Sequence, residues 1–86
     1  MDIQKILMDH KLFLNSAGKA GKQANFKAQE LFNTDFSHAD LRGANFTRAD
    51  LDGVNLSEAN LTGAILKGVD LSSANLSGTK LNNAQF

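Results

Sequence analysis

Few residues in this sequence could do chemistry, and their spacing decides what that chemistry would be. Histidine occurs only at His10 and His38. They are too isolated to make a zinc site or an acid–base pair, so each reads as a surface or helix-face histidine. Asp and Asn recur every five residues at Asp35, Asp40, Asn45, Asp50, Asn55 and Asn60. Such a row has the composition of a metal ladder, but DLDG at 50–53 lacks the further ligands of a calcium loop. The row is better explained by hydrogen bonds to turn backbone and water. GKAGKQ at 18–23 has Gly18 and Gly21 too close for a phosphate-binding loop, and Gln23 replaces its Ser or Thr. The glycosylation-like triplets at Asn45, Asn55, Asn60 and Asn75 follow automatically from the repeat. There is no nucleophile–base pair, cofactor loop or metal cluster, so no enzyme, cofactor or metal is expected.

The elements that carry these residues divide near residue 23. Before it, Ile3, Ile6, Leu7, Phe13 and Leu14, with His10 between them, recur at steps of three and four. That spacing predicts one face of an amphipathic helix. Asp2 can cap its start, and Gly18 is a natural stop just past its end. The segment 1–23 therefore reads as a helix and a connector. From Ala24 onward a period of five is unbroken. Its centres are Phe26, Leu31, Phe36, Leu41, Phe46, Leu51, Leu56, Leu61, Leu66, Leu71, Leu76, Leu81 and Phe86. Two places before each centre the residue is small or β-branched, with Gln29 the misfit.

A period of five suits neither a strand nor a helix. One pentad cannot bury its own Leu or Phe, but stacked turns of a coil can. If each pentad makes one side of a square, a turn takes twenty residues and climbs one strand spacing, about 4.8 Å. Phe26, Phe46, Leu66 and Phe86 would then form one column. Phe36 would stand in another. Gly43, Gly53, Gly63, Gly68 and Gly78, two places after a centre, suit corners with unusual backbone angles.

The stretch ADLRG ANFTR ADLDG VNLSE ANLTG resembles the pentapeptide-repeat family, whose pattern is A(D/N)LXX, over residues 24–86. The helical head is similar to leaders found in some small bacterial and phage-borne members. The resemblance implies an all-β solenoid, a right-handed quadrilateral β-helix of about three coils, with an N-terminal α-helical cap. It implies an outward Asp/Asn row, with Ala39 buried and Asp40 exposed. It also implies two kinds of function. One is a non-enzymatic protein-binding or scaffold module, or a structural element of an assembly. The other is a DNA mimic that binds gyrase, as quinolone-resistance members do.

Charge bears on that choice. The chain has nine basic and nine acidic residues. The repeats carry seven acidic and five basic side chains, a net charge of −2 and a weak field for mimicking a duplex. Zero overall charge also argues against direct nucleic-acid binding. No apolar run reaches the length of about 18 residues that marks a span, the start does not resemble a signal peptide, and there is no Cys. A cytoplasmic protein without membrane contact is expected.

The expected partner is another protein, and four residues are candidates for contact. Phe32 stands at an outward position beside the misfit Gln29, where the helix could dock. A helix free to bind a membrane or partner is the competing expectation. Ile65 replaces Asp or Asn on a polar face. Leu81 and Phe86 belong to the final coil, Lys67 to Phe86, whose open edge would recruit a second copy. A homodimer through that coil is expected, as the resemblance also implies.

Overall fold

Each pentad first closes a turn on itself. In the computed structural model, which describes residues 1–86, the C=O of each centre from Phe26 to Leu81 accepts the N–H three residues on. The third residue of every such turn has positive φ. That combination is the signature of a type II turn, which favours Gly there. Gly fills only five of these positions; Ala28, Asn33, His38, Arg48, Glu58, Ser73 and Asn83 hold the same backbone without it. The demand for left-handed backbone is therefore set by the corner, and a side chain is tolerated because it points to solvent.

The pentads then stack at a separation of twenty residues. Asn25 bridges Asn45, Glu30 bridges Asp50, Asp35 bridges Asn55 and Asp40 bridges Asn60, all in parallel, and the series continues to Ile65–Gln85. Four bridges per twenty residues make a four-sided coil. The ladder is regular: Phe26 N–H donates to Asn45 C=O at 2.7 Å, and Asn45 N–H donates to Ala24 C=O at 3.0 Å. Each side contributes one isolated bridging residue rather than a strand. The turns consume the rest of each pentad, so the wall is β in its pairing and turn in most of its residues.

Fifteen inward residues, from Ala24 to Leu66, form one continuous core. Phe26 and Phe46 stack with centroids 5.0 Å apart. Phe36 stands in another column yet meets both rings edge-on, at 5.5 and 6.0 Å. Each fully buried ring is worth about 1.5–3 kcal/mol in transfer free energy. Gln29 is exposed, so the misfit residue occupies a small-residue slot that nothing covers. Glu30 and Asp50, with Asp70 below, form an acidic column on one side.

Helix α1 spans Ile3–Asn15, and the Asp2 carboxylate caps its start by accepting Lys5 N–H at 3.0 Å. Gly18 lies just past the helix end as expected: Ala17 and Gly18 both take positive φ, and Gly18 N–H returns to Phe13 C=O at 2.8 Å. Ile3, Ile6 and Leu7 pack on the core. The helix is docked on the solenoid rather than free, and no helix is long and apolar enough to cross a membrane.

Candidate protein-interaction surfaces

The polar sides are built by short side chains reaching their own turns. In nine pentads the Asp or Asn before the centre accepts, through Oδ1, the N–H two residues on; Asn45 to Thr47 at 3.0 Å and Asn60 to Thr62 at 3.0 Å are examples. Only a side chain of that length fits the bond, which explains the Asp/Asn preference without a metal. The hydroxyls of Thr47, Ser57, Thr62 and Ser72 donate to the same oxygens. Ser72 thereby lowers the Asp70 carboxyl below its ordinary value. Asp40 is gripped twice by Arg42, from Nε at 2.8 Å and Nη2 at 2.7 Å, and is also lowered. In those nine pentads the outward row is consequently polar and already hydrogen-bonded before any partner arrives.

The covered end is pinned by a histidine expected only to lie on the surface or on a helix face. His10 is 0% exposed. Its Nδ1 accepts Ala24 N–H at 2.9 Å, so the proton sits on Nε2, which donates to Arg42 C=O at 2.9 Å. Elsewhere in the wall the residue at Ala24's position donates to the centre three places earlier, as Ala44 does to Leu41. Elsewhere the carbonyl at Arg42's position accepts from the coil above, as Thr47 does from Ala28. The imidazole supplies both the acceptor and the donor that one more pentad before Ala24 would have provided. The Gln23 side chain adds a donor to Gly43 C=O. The sequence holds one signal for this role: a lone polar residue on the apolar stripe of the helix. His38, in contrast, is exposed.

The model for pentapeptide repeats, in eight copies, matches residues 22–57, 30–68 and 55–86. The chain belongs to the pentapeptide-repeat family. Two solved members are similar to it. One, from the Arabidopsis thaliana thylakoid lumen, is 36% identical with a TM-score of 0.71, over 73% of this chain and 43% of that one. The other, Rfr23 from the cyanobacterium Cyanothece 51142, is 40% identical with a TM-score of 0.71, over 74% of this chain and 44% of that one. This chain thus spans less than half the length of either relative. No curated protein matches it.

Within this pentapeptide-repeat chain the four candidate contact residues do not form one patch. Phe32 is 54% exposed at a corner of the first coil. The helix packs through Ile3, Ile6 and Leu7 and leaves that ring in solvent. Ile65 is half-buried in its column, between Asn45 and Gln85. Leu81 is half-buried and Phe86 is 65% exposed in the last coil, beside the exposed Leu76. Ile65 therefore lies one coil above the residue next to Phe86, whereas Phe32 is remote from both in the stack. Ala39 and Asp40 are each half-buried, which corrects the simple buried-then-exposed expectation. Both line a groove of about 750 Å³ beside the helix, with Leu7, Met8, Lys11 and His38. The inward slot of Ala39 opens to that groove because no earlier coil lies above it.

Proposed function

We propose that this chain is a non-enzymatic protein-binding or scaffold module of the cytoplasm, built as a right-handed quadrilateral β-helix. The observation that carries the reading is the unbroken parallel register from Asn25–Asn45 to Ile65–Gln85. That register produces rigid, flat columns of polar side chains, a surface suited to a protein partner at little cost in ordering. From Ala24 to Leu66 the inward hydrophobic side chains of the repeats are spent on a filled core. Location is supported by the absence of Cys, and fractionation of the host cell tests it.

The face carrying Ile65 is the one we assign to the partner. Cross-linking in the host, with wild type and with Ile65→Asp, Phe32→Asp and Asp52→Lys variants, tests the module reading. Loss of a specific cross-link on one side, with thermal stability unchanged, supports it. A cross-link pattern indifferent to every side overturns it. Gyrase supercoiling in the presence of the protein separates a scaffold from a duplex mimic. Unchanged supercoiling is expected from the weak net charge of the repeats.

The last coil is proposed to pair with a second copy. Leu76, at 38% exposure, and Phe86 offer it an apolar surface, and Leu71 and Leu81 lie half-buried beside them. Two-fold pairing would cover both edges at once. Light scattering behind size exclusion should give about twice the monomer mass of 9.3 kDa. Phe86→Asp should restore the monomer. A wild-type monomer at high micromolar concentration overturns the dimer.

A further inference from the structure

We propose that His10 is an acid-sensitive latch: protonation of its buried ring releases helix α1 and opens the first coil to other molecules. The geometry leaves the ring one working state. Nδ1 must be bare to accept Ala24 N–H, and Nε2 must carry hydrogen to reach Arg42 C=O. A second proton goes to Nδ1 and faces the Ala24 N–H. Two donors then oppose each other where no solvent reaches, because the ring has no exposed surface. An unsatisfied buried donor is costly, and a buried cation without a partner more so.

The surrounding charges do not rescue the cation. From the first coil, Asp40 favours it and Arg42 opposes it, and these two are hydrogen-bonded to each other. On the helix, the neighbouring Asp9 is paired with Lys5 at 3.1 Å, and Lys11 adds positive charge. The connector brings Lys22, whose N–H is bonded to Asp9 C=O at 3.1 Å. No carboxylate bonds the ring. Burial is the largest influence on its titration and lowers it from the ordinary 6.5, against the smaller pull of the Arg42 carbonyl and Asp40.

The sign follows. A histidine titrating lower in the docked state than in the released state gives docking its full strength above pH 6.5. As pH falls below that value the released state takes up the proton and docking weakens. The loss is complete at the docked-state value. What the latch guards is apolar: Ala24 and Phe26, buried in the first coil, and Ile3, Ile6 and Leu7 on the helix.

Amide hydrogen exchange on the whole chain, followed from pH 8 to pH 4 with ring nitrogen shifts of His10, tests the latch. Protection of Ala24 and the α1 amides, corrected for intrinsic exchange, should fall up to about tenfold per pH unit while His10 titrates. Protection at Phe46 to Leu61 should persist. His38→Asn should change nothing. His10→Gln keeps a donor and an acceptor without the titration, and should remove the pH dependence between 6.5 and the docked-state value. If that variant does not dock, the wild-type titration decides alone. Helix protection that survives protonation of His10, or an unchanged pH profile in a docked His10→Gln, overturns the proposal.

Discussion

The rings of Phe26 and Phe46 are twenty residues apart in the chain and 5.0 Å apart in space, with planes 15° from parallel. Stacking at that separation ties two successive coils through their widest side chains, and Phe36 wedges edge-on against both. Phe46→Ala should therefore cost about 3–5 kcal/mol in denaturant unfolding. Phe86→Ala in a monomeric preparation should cost about 0.5 kcal/mol or less, because that ring stands largely in solvent.

The inward register is tested at Ala59, which has no exposed surface. Ala59→Lys forces a charge into the wall and should cost several kcal/mol, on the order of half the stability of a small domain. Asp52 is exposed and its side chain holds no bond, so Asp52→Lys should stay within about 0.5 kcal/mol. Equal losses of melting temperature in the two variants would refute the register.

Two glycines separate backbone strain from close approach. At Gly63, φ is +70° and an added Cβ meets nothing within 4 Å. Gly63→Ala should cost about 1–2 kcal/mol, the left-handed penalty alone. At Gly21, φ is also +70°, but a Cβ would collide with the Asp9 carbonyl oxygen and lie 2.7 Å from Phe13 N. Gly21→Ala should in addition pull the connector off the helix, seen as faster exchange of α1 amides with the β-helix unaffected.

The Asp40–Arg42 pair predicts a weakness in acid. Arg42 holds the Asp40 carboxyl below its ordinary 3.8. The folded value lies below the unfolded one, so the pair stabilises above 3.8 and that contribution fades as pH falls through the folded value. Wild type should melt higher than Asp40→Asn at neutral pH, and the gap should close as pH falls below 3.8 through the folded value. A gap independent of pH would assign the difference to geometry rather than charge.

The wall is legible from one line of text because its rule is local and repeated. A centre every five residues, a small residue two places before it and a short carboxylate or amide one place before it specify core, turn and cap together. The twenty-residue stack follows from four pentads to a turn, and the Phe spacing at 26, 46 and 86 agrees with it. The ends are less legible, since an end is where the repeat stops supplying its own neighbours. His10 looks ordinary in the sequence because its partners, Ala24 N–H and Arg42 C=O, are backbone groups fourteen and thirty-two residues away. Backbone partners carry no residue code. Phe32 misleads in the opposite way: an aromatic beside a misfit residue suggests a docking point, and the helix instead settles through its own aliphatic stripe. The corners at Arg48 and Glu58 escape notice because the sequence shows a corner only where Gly fills it.

The bridge interval of twenty residues also fixes how this molecule can change length. Each residue owes its compass direction to its position counted modulo that interval. Inserting a whole coil would lengthen the stack and leave every side chain downstream facing as before. Deleting one pentad, such as 56–60, would turn everything after it by a quarter. Asp70 would leave the column of Glu30 and Asp50 and fall beneath Asn45, while Ile65 would leave Asn45 and fall beneath Asp40. The core would still close, since every pentad brings its own Leu or Phe, but the pattern on the outside would be scrambled. Foldability here is quantised in fives, and surface identity in twenties.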